Sequence, residues 1–285
     1  MLSQLTYAVK YATGKDVAGR NFHVYPDDTF LVSYPKSGST WTRFLLAALV
    51  NPNKEVSFKN IDVLLPSAAG QSKRQLRNTP HPRLIKSHEY FDARYQNVVY
   101  VVRDPRDVVL SQYRFFLKRG AIEESYSMNL YVDRFLSGEL NDYGSWGENV
   151  GSWLVARNDT KRFLLLRYED LLRQTAQELA KVADFLKFKA SPEHLQRCVE
   201  LGSAERMREL EKKDSGSVVA KGRKDIPFVG AAKAGGWKAG LSPEHIAKIE
   251  SAWGPLMSHL GYELVSIPTQ PTSDILGAIV QQSVR

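Results

Sequence analysis

Residues 30–41 read FLVSYPKSGSTW. A short buried strand, Thr29 to Tyr34, breaks at Pro35 into a turn made of Lys, Ser, Gly, Ser and Thr. Directly afterwards Trp41, Phe44, Leu45, Ala48 and Leu49 recur at helical spacing until Asn51-Pro52-Asn53 stops them. Strand, donor-rich turn and helix in immediate succession form the first half of a βαβ unit. Successive backbone N–H groups and the helix N-terminus converge there on one point, which suits an anion. Lys36 adds a mobile charge, Gly38 admits close backbone approach, and Ser39 and Thr40 add hydroxyl donors. The nucleoside-triphosphate pattern G-x-x-x-x-G-K-[ST] is not satisfied, because the lysine precedes the glycine by two.

The rest of the chain continues the alternation. RLIKSH (Arg83 to His88) reads as a second short strand. NVVYVVRD (Asn97 to Asp104) is a β-branched run of the kind covered on both faces. Asp104 as N-cap and Pro105 at the first helical position then open a helix to about Lys118. RFLLLRYED (Arg162 to Asp170) reads as another buried strand, and helical segments follow to about Lys213. The expected architecture is α/β: a P-loop-like, three-layer fold with a central parallel β-sheet flanked by helices. It is read as one domain over 1–285, with its core at about 28–262 and a tail at 266–285.

Charge is unevenly placed. The chain is 43% hydrophobic and 25% charged with net charge +8. The interval Asp214–Gly236 holds five glycines and little apolar periodicity, which marks a binding segment, a lid or disorder. Between Lys212 and Lys238 stand seven Lys/Arg and two Asp, a net of +5. Ser242-Pro243-Glu244 then opens a last long helix. Cys198 is the sole cysteine, so an internal disulfide is excluded. The opening MLSQLTYAVKYATGK has neither a charged n-region nor an apolar h-region, and no run approaches a membrane span. A soluble, cytoplasmic protein is expected.

YPKSGSTW resembles the 5′-phosphosulfate loop of the cytosolic-type sulfotransferases, which use 3′-phosphoadenosine 5′-phosphosulfate (PAPS) as sulfuryl donor. The similarity continues in the family's order through KSH (86–88), VVRDPRDVVLSQY (101–113), RYEDL (167–171) and GGWK (235–238), spanning roughly residues 28 to 260. The resemblance implies PAPS as co-substrate, 3′-phosphoadenosine 5′-phosphate (PAP) as product, and no metal. It makes Lys36 the leaving-group lysine, with Ser37, Gly38, Ser39 and Thr40 around the 5′-phosphate. His88 is then the general base and Lys86 the lysine near the transferred group. Arg103 and Ser111 are the 3′-phosphate pair, the serine also modulating Lys36. Trp41, Tyr168, Ser203 and Met207 are the adenine contacts. Glu89 is a rival base, and Arg106 reads as a surface or capping charge.

The sequence departs from the family at Arg-Lys-Gly-x-x-Gly-x-Trp-Lys. Here the stretch is GAAKAGGWK, so the two cations that grip the 3′-phosphate are absent in register. Lys233 is the nearest stand-in, with Lys221, Arg223 and Lys224 further off. The acceptor is expected to be a small, partly apolar molecule offering a hydroxyl, less readily an amine. Its pocket is expected among 60–80, 120–150 and 214–236, with Tyr90, Phe91, Phe115, Phe116, Tyr126, Tyr143, Trp146 and Phe228 as candidate walls. The family's Lys-x-x-x-Thr-Val-x-x-x-Glu dimer motif is not found, leaving the oligomeric state open. The tail SDILGAIVQQ reads as an amphipathic helix that docks on the body, a partner or a membrane, with the body preferred. Two other readings compete: a P-loop kinase, which wants Mg²⁺ ligands such as Ser37 and Asp104, and a basic binder of nucleic acid or acidic surfaces, for which no helix-turn-helix, RNP or zinc pattern is visible.

Overall fold

The computed structural model describes residues 10, 13, 17–158, 160–214, 221–230 and 232–266. The C-terminal segment read as a docking helix lies outside them. In chain order the elements are β1 (Thr29–Ser33), α1 (Ser39–Val50), α2 (Ile61–Leu64), α3 (Lys73–Arg77), β2 (Leu84–Ser87), β3 (Asn97–Val102), α4 (Pro105–Arg119), α5 (Met128–Leu136) and α6 (Trp146–Arg157). They continue with β4 (Phe163–Arg167), α7 (Tyr168–Arg173), α8 (Thr175–Phe185), α9 (Pro192–Leu201), α10 (Ala204–Lys213), α11 (Trp237–Gly240) and α12 (Pro243–His259). All four expected strands form, each shorter than the sequence suggested by one to four residues.

The sheet is wholly parallel, in the order β2-β1-β3-β4. Side chains alternate across it, as a strand period of two requires. Phe30, Val32, Val98, Tyr100 and Val102 enter one core cluster, and Leu31, Val99 and Val101 enter the other. Both faces are thus buried, which explains why these strands read as continuous apolar runs. Helices α4, α5, α6 and α12 cover the first face; α1, α8 and α9 cover the second. The three-layer fold is as expected.

Parallel strands place all their carboxyl ends on one edge, and the turns that leave this edge carry Lys36, His88, Arg103 and Tyr168. The opposite edge is fastened by the buried ion pair of Asp28 and Arg83, with Arg83 also donating to the Leu76 and His23 carbonyls at 2.8 and 2.9 Å.

Arg106 corrects the sequence reading. It is 1% exposed rather than a surface charge. Asp104 does cap α4, accepting from the Arg106 N–H at 2.9 Å. The Arg106 guanidinium turns back to that same carboxylate, pairs with Glu250 of α12, and lies 3.7 Å over the Trp237 ring. Three distant segments meet on this one cation. Breaking a buried pair leaves an uncompensated charge and costs about 3–5 kcal/mol. Arg106→Ala is therefore expected to lose about that much stability in urea unfolding. A loss below about 1 kcal/mol would contradict the bridging role.

Candidate active site

In the turn between β1 and α1 the Ser37 N–H donates to the Tyr34 carbonyl at 3.2 Å, and no side chain caps the helix that follows. Gly38 caps α1 in the left-handed conformation, φ 93°, with no side-chain cap and no acidic residue in the first turn. The other described helices of twelve residues or more, α4, α6 and α12, all have a side-chain cap. Lys36 also sits at positive φ, 71°. Ser37 and Ser39 are buried, Thr40 is half-buried, and the Ser37 hydroxyl has no partner among the described residues. A dipole end with free N–H groups and no competing carboxylate is an anion cradle.

Tyr168 closes one side. A Cβ at Gly38 would fall 2.4 Å from the Tyr168 Cδ2, so ring and turn are in direct contact. Trp41 meets that ring edge-on at 5.6 Å, and its indole N–H donates to the Gly202 carbonyl at 2.8 Å. Ser203 follows as N-cap of α10, and Met207 is buried in the same core cluster. Trp41, Tyr168 and the 202–207 segment thus border one side of the cradle.

Arg103 also lies over Tyr168, 4.3 Å from the ring centre. Its guanidinium donates to the Lys233 carbonyl at 3.1 Å and stands 3.7 Å from Asp107. Asp107 in turn accepts the N–H groups of Gly235 at 2.8 Å and Trp237 at 3.0 Å. That carboxylate pins the GGWK turn against α4. Lys233 is consequently beside Arg103, with its own residue exposed, while Ser111 is half-buried one helical turn beyond Asp107. Of the more distant candidates, Arg223 is placed differently: its guanidinium pairs with Asp225 and Glu124, and its N–H is tied to the end of α4 through the Lys118 carbonyl.

Three basic side chains gather at the centre. Lys86 Nζ is 2.6 Å from His88 Nε2. His88 Nδ1 is 2.7 Å from the Ser33 carbonyl, which can only accept, so Nδ1 holds the proton and Nε2 keeps its lone pair. Burial, and then the Lys86 charge, hold His88 well below its ordinary value. Burial pushes Lys86 down to about 7, with Arg43 and Lys36 adding repulsion. Lys36 falls to about 8 through burial and then Arg103 and Arg119. Its ammonium rests 4.2 Å from the Phe115 ring centre and 5.3 Å from that of Phe228.

The aromatic side chains expected around an acceptor have defined neighbours. Phe115 and Phe228 flank Lys36. Trp146 is fully buried and donates to the Arg103 carbonyl at 3.1 Å. Phe116 and Tyr126 pack on Tyr131, and Phe91 packs on Trp153. Tyr143 alone of that set meets His88, ring centres 5.5 Å apart. Glu89 is buried and ion-paired with Arg20. Asp104, the acid a kinase reading wants for Mg²⁺, is already committed to Arg106.

An uncapped helix beside a parallel strand, facing gathered cations and one neutral histidine, is the equipment of a group-transfer enzyme acting on an anionic donor. The comparisons with known proteins make the class specific. Residues 26–261 match the family defined by the sulfotransferase domain. Bovine (Bos taurus) sulfotransferase 1E1 is 31% identical over 202 residues, covering 66% of this chain and 68% of that protein. Rat (Rattus norvegicus) sulfotransferase 2A2 is 30% identical over 201 residues, covering 67% and 70%. Mouse sulfotransferase SULT7A1, solved with PAP, shares the fold at TM-score 0.67 and 20% identity, over 91% of this chain and 90% of that one. Retinol dehydratase, solved with androsterone and PAP, shares it at TM-score 0.68 and 22% identity, over 87% and 85%. The chain belongs to the cytosolic-type sulfotransferase family and is a PAPS-dependent sulfotransferase, EC class 2.8.2. Among the described residues no helix is long and apolar enough to cross a membrane.

Gly38→Ala tests the cradle. A non-glycine residue in the left-handed region costs about 1–2 kcal/mol, and the Tyr168 contact adds to it. Calorimetric titration with PAP is expected to show affinity reduced about tenfold or more. Unchanged affinity would mean that the anion site lies elsewhere.

Proposed function

We propose that the enzyme moves the sulfuryl group of PAPS to a hydroxyl of a small, partly apolar acceptor, with His88 as general base. The observation that carries this is the His88 hydrogen-bond pattern: Nδ1–H is committed to the Ser33 carbonyl, so Nε2, which Lys86 Nζ meets at 2.6 Å, holds the lone pair that can take a proton. Supporting it, the cradle from Lys36 to Thr40 suits the donor's 5′-phosphate. Arg103, Ser111 and Lys233 suit its 3′-phosphate, Lys233 replacing the cations missing at 230–232. Trp41, Tyr168, Ser203 and Met207 border the adenine.

In this reaction the acceptor O–H donates to His88 Nε2 as its oxygen attacks sulfur. The bond from sulfur to the 5′-phosphate's bridging oxygen breaks, and its electron pair stays on that oxygen, where Lys36 stabilises the charge. Lys86 moves from Nε2 to the transferred group's oxygens, which frees the lone pair at the moment the donor is present. The proton ends on His88 and PAP leaves. Positioning and charge stabilisation supply the rate, as in phosphoryl transfer. Tyr143, beside His88, forms one acceptor wall. A hydroxyl is favoured over an amine because a protonated amine would meet Lys86 and Lys36. The single cysteine, buried and with its thiol pushed up to about 11 by burial, fits a cytoplasmic enzyme.

PAP is expected to bind without Mg²⁺ at micromolar affinity or better, and Lys233→Ala is expected to weaken it about tenfold, which is about 1.4 kcal/mol. Binding of ATP with Mg²⁺ in place of PAP would overturn the donor assignment, and an indifferent Lys233 variant would move the 3′-phosphate grip. His88→Ala, assayed against a panel of phenols and alicyclic alcohols, is expected to lower kcat by about 10²–10⁴.

The pH profile follows from the same groups. In the free enzyme Lys86 and Lys36 are charged below about 7 and 8 and lose their protons above. The kcat/KM for PAPS should therefore fall as pH rises through 7 to 8. His88, lowered by burial, is neutral throughout that window and gives no acidic limb there. A profile that rises over the same window would refute this assignment.

A further inference from the structure

We propose that Asn149 is a positioning residue of the transfer reaction: one buried amide fixes both the base and the ring beside it. The inference rests on His88 being that base. Asn149 is 0% exposed and lies on the core-facing side of α6. Its Nδ2 donates to the His88 carbonyl at 3.0 Å and to the Tyr143 carbonyl at 3.3 Å. Its Oδ1 accepts from the Tyr100 hydroxyl at 2.8 Å. Tyr100 sits in the middle of β3, fully buried, and burial holds its hydroxyl well above the usual phenol range. That group therefore remains a donor, which sets the amide's orientation: Oδ1 faces Tyr100 and both Nδ2 protons face the two carbonyls.

The consequence is a chain of fixed bonds from the core of the sheet to the reacting atoms. His88 is held at its ring by the Ser33 carbonyl of β1 and at its backbone, through Asn149, by β3. The same helix holds the next residues: Trp153 donates to the Glu89 carbonyl at 2.9 Å, and Ser152 accepts the Phe91 N–H at 3.0 Å. Asn149 adds what the other two do not, a tie to Tyr143. His88 and Tyr143 arrive from different segments, 55 residues apart in sequence, and their relative placement determines where an acceptor hydroxyl stands against Nε2. Near-attack geometry is sensitive at this scale: a displacement of about 1 Å can cost about 10²-fold in rate.

The test uses Asn149→Leu, which keeps the side chain's branching and removes the amide, with Tyr100→Phe as a milder variant that leaves Asn149 in place but releases its orientation. The expected result for Asn149→Leu is PAP affinity within about twofold of the unaltered protein and kcat lower by about 10–100-fold. Tyr100→Phe should lower kcat by about three- to tenfold with the same unchanged PAP affinity. A purely structural role would lower the folded fraction and leave kcat per PAP-binding site unchanged, and that result overturns the proposal. If Asn149→Leu does not fold, Tyr100→Phe decides alone by the same criterion. His88→Ala in the same assay separates the two readings. If it retains kcat, the base assignment itself falls. If it is inactive while Asn149→Leu or Tyr100→Phe keeps full kcat, only the positioning role falls.

Discussion

The N-terminus of α1 is a set of backbone N–H groups that no side chain caps among the described residues. At the other long described helices a serine or aspartate oxygen takes these donors. Here Gly38 turns the chain without offering an oxygen, and Tyr168 presses so closely that no side chain fits at that position. Orphan donors at a helix end call for an anion. Because the sheet is parallel, the turns after β2, β3 and β4 open on the same edge, so the groups able to act on that anion converge there. A mixed sheet would have distributed them over both ends.

Burial gives these groups their chemistry. In water Lys86 and Lys36 would be plain ammonium ions and His88 would titrate near neutrality. Crowded together under the sheet edge, each charge disfavours the next, and all three are shifted toward their neutral forms. On the proposed reading an arriving polyanionic donor reverses that imbalance for the lysines, restoring their charge where it stabilises transfer, while the Ser33 carbonyl holds the Nδ1 proton and leaves Nε2 for the reacting side. The phenyl rings of Phe115 and Phe228 give the Lys36 ammonium a weakly attractive resting place in the meantime. Binding and chemistry are coupled through the same charges.

The segment that follows Gly230-Ala231-Ala232 is anchored to α4. Asp107 holds the backbone of Gly235 and Trp237, and Trp237 carries Arg106 on its face. The loop is therefore anchored downstream of the altered positions, and Lys233 is delivered next to Arg103 by its own carbonyl. On the proposed reading the 3′-phosphate keeps two cationic neighbours although the family's Arg-Lys pair is gone.

Local chemistry in the sequence determined the elements. The β-branched runs, the Asp104-Pro105 and Ser242-Pro243 starts, and the switch from apolar run to helical spacing around Lys36 each encode a neighbouring-residue preference, and the corresponding strands and helices form within a few residues of where those patterns put them. The motif order also placed Lys36, His88, Arg103 and Tyr168 at strand ends. A signal for Asn149 was present too, a polar residue on the apolar stripe of Trp146, Val150, Trp153 and Leu154, but its meaning depended on what that stripe faces. What only the tertiary structure decided was pairing across long stretches of chain. Arg106 reads as a helix-start charge because its partner Glu250 is 144 residues away. That Phe115 and Phe228 flank Lys36 was not legible, because an aromatic side chain carries no direction in sequence. The covalent chain specifies which backbone conformations are favourable one residue at a time; which buried charge meets which carboxylate, and which ring covers which lysine, follows only once packing excludes water and leaves each polar group a single set of neighbours.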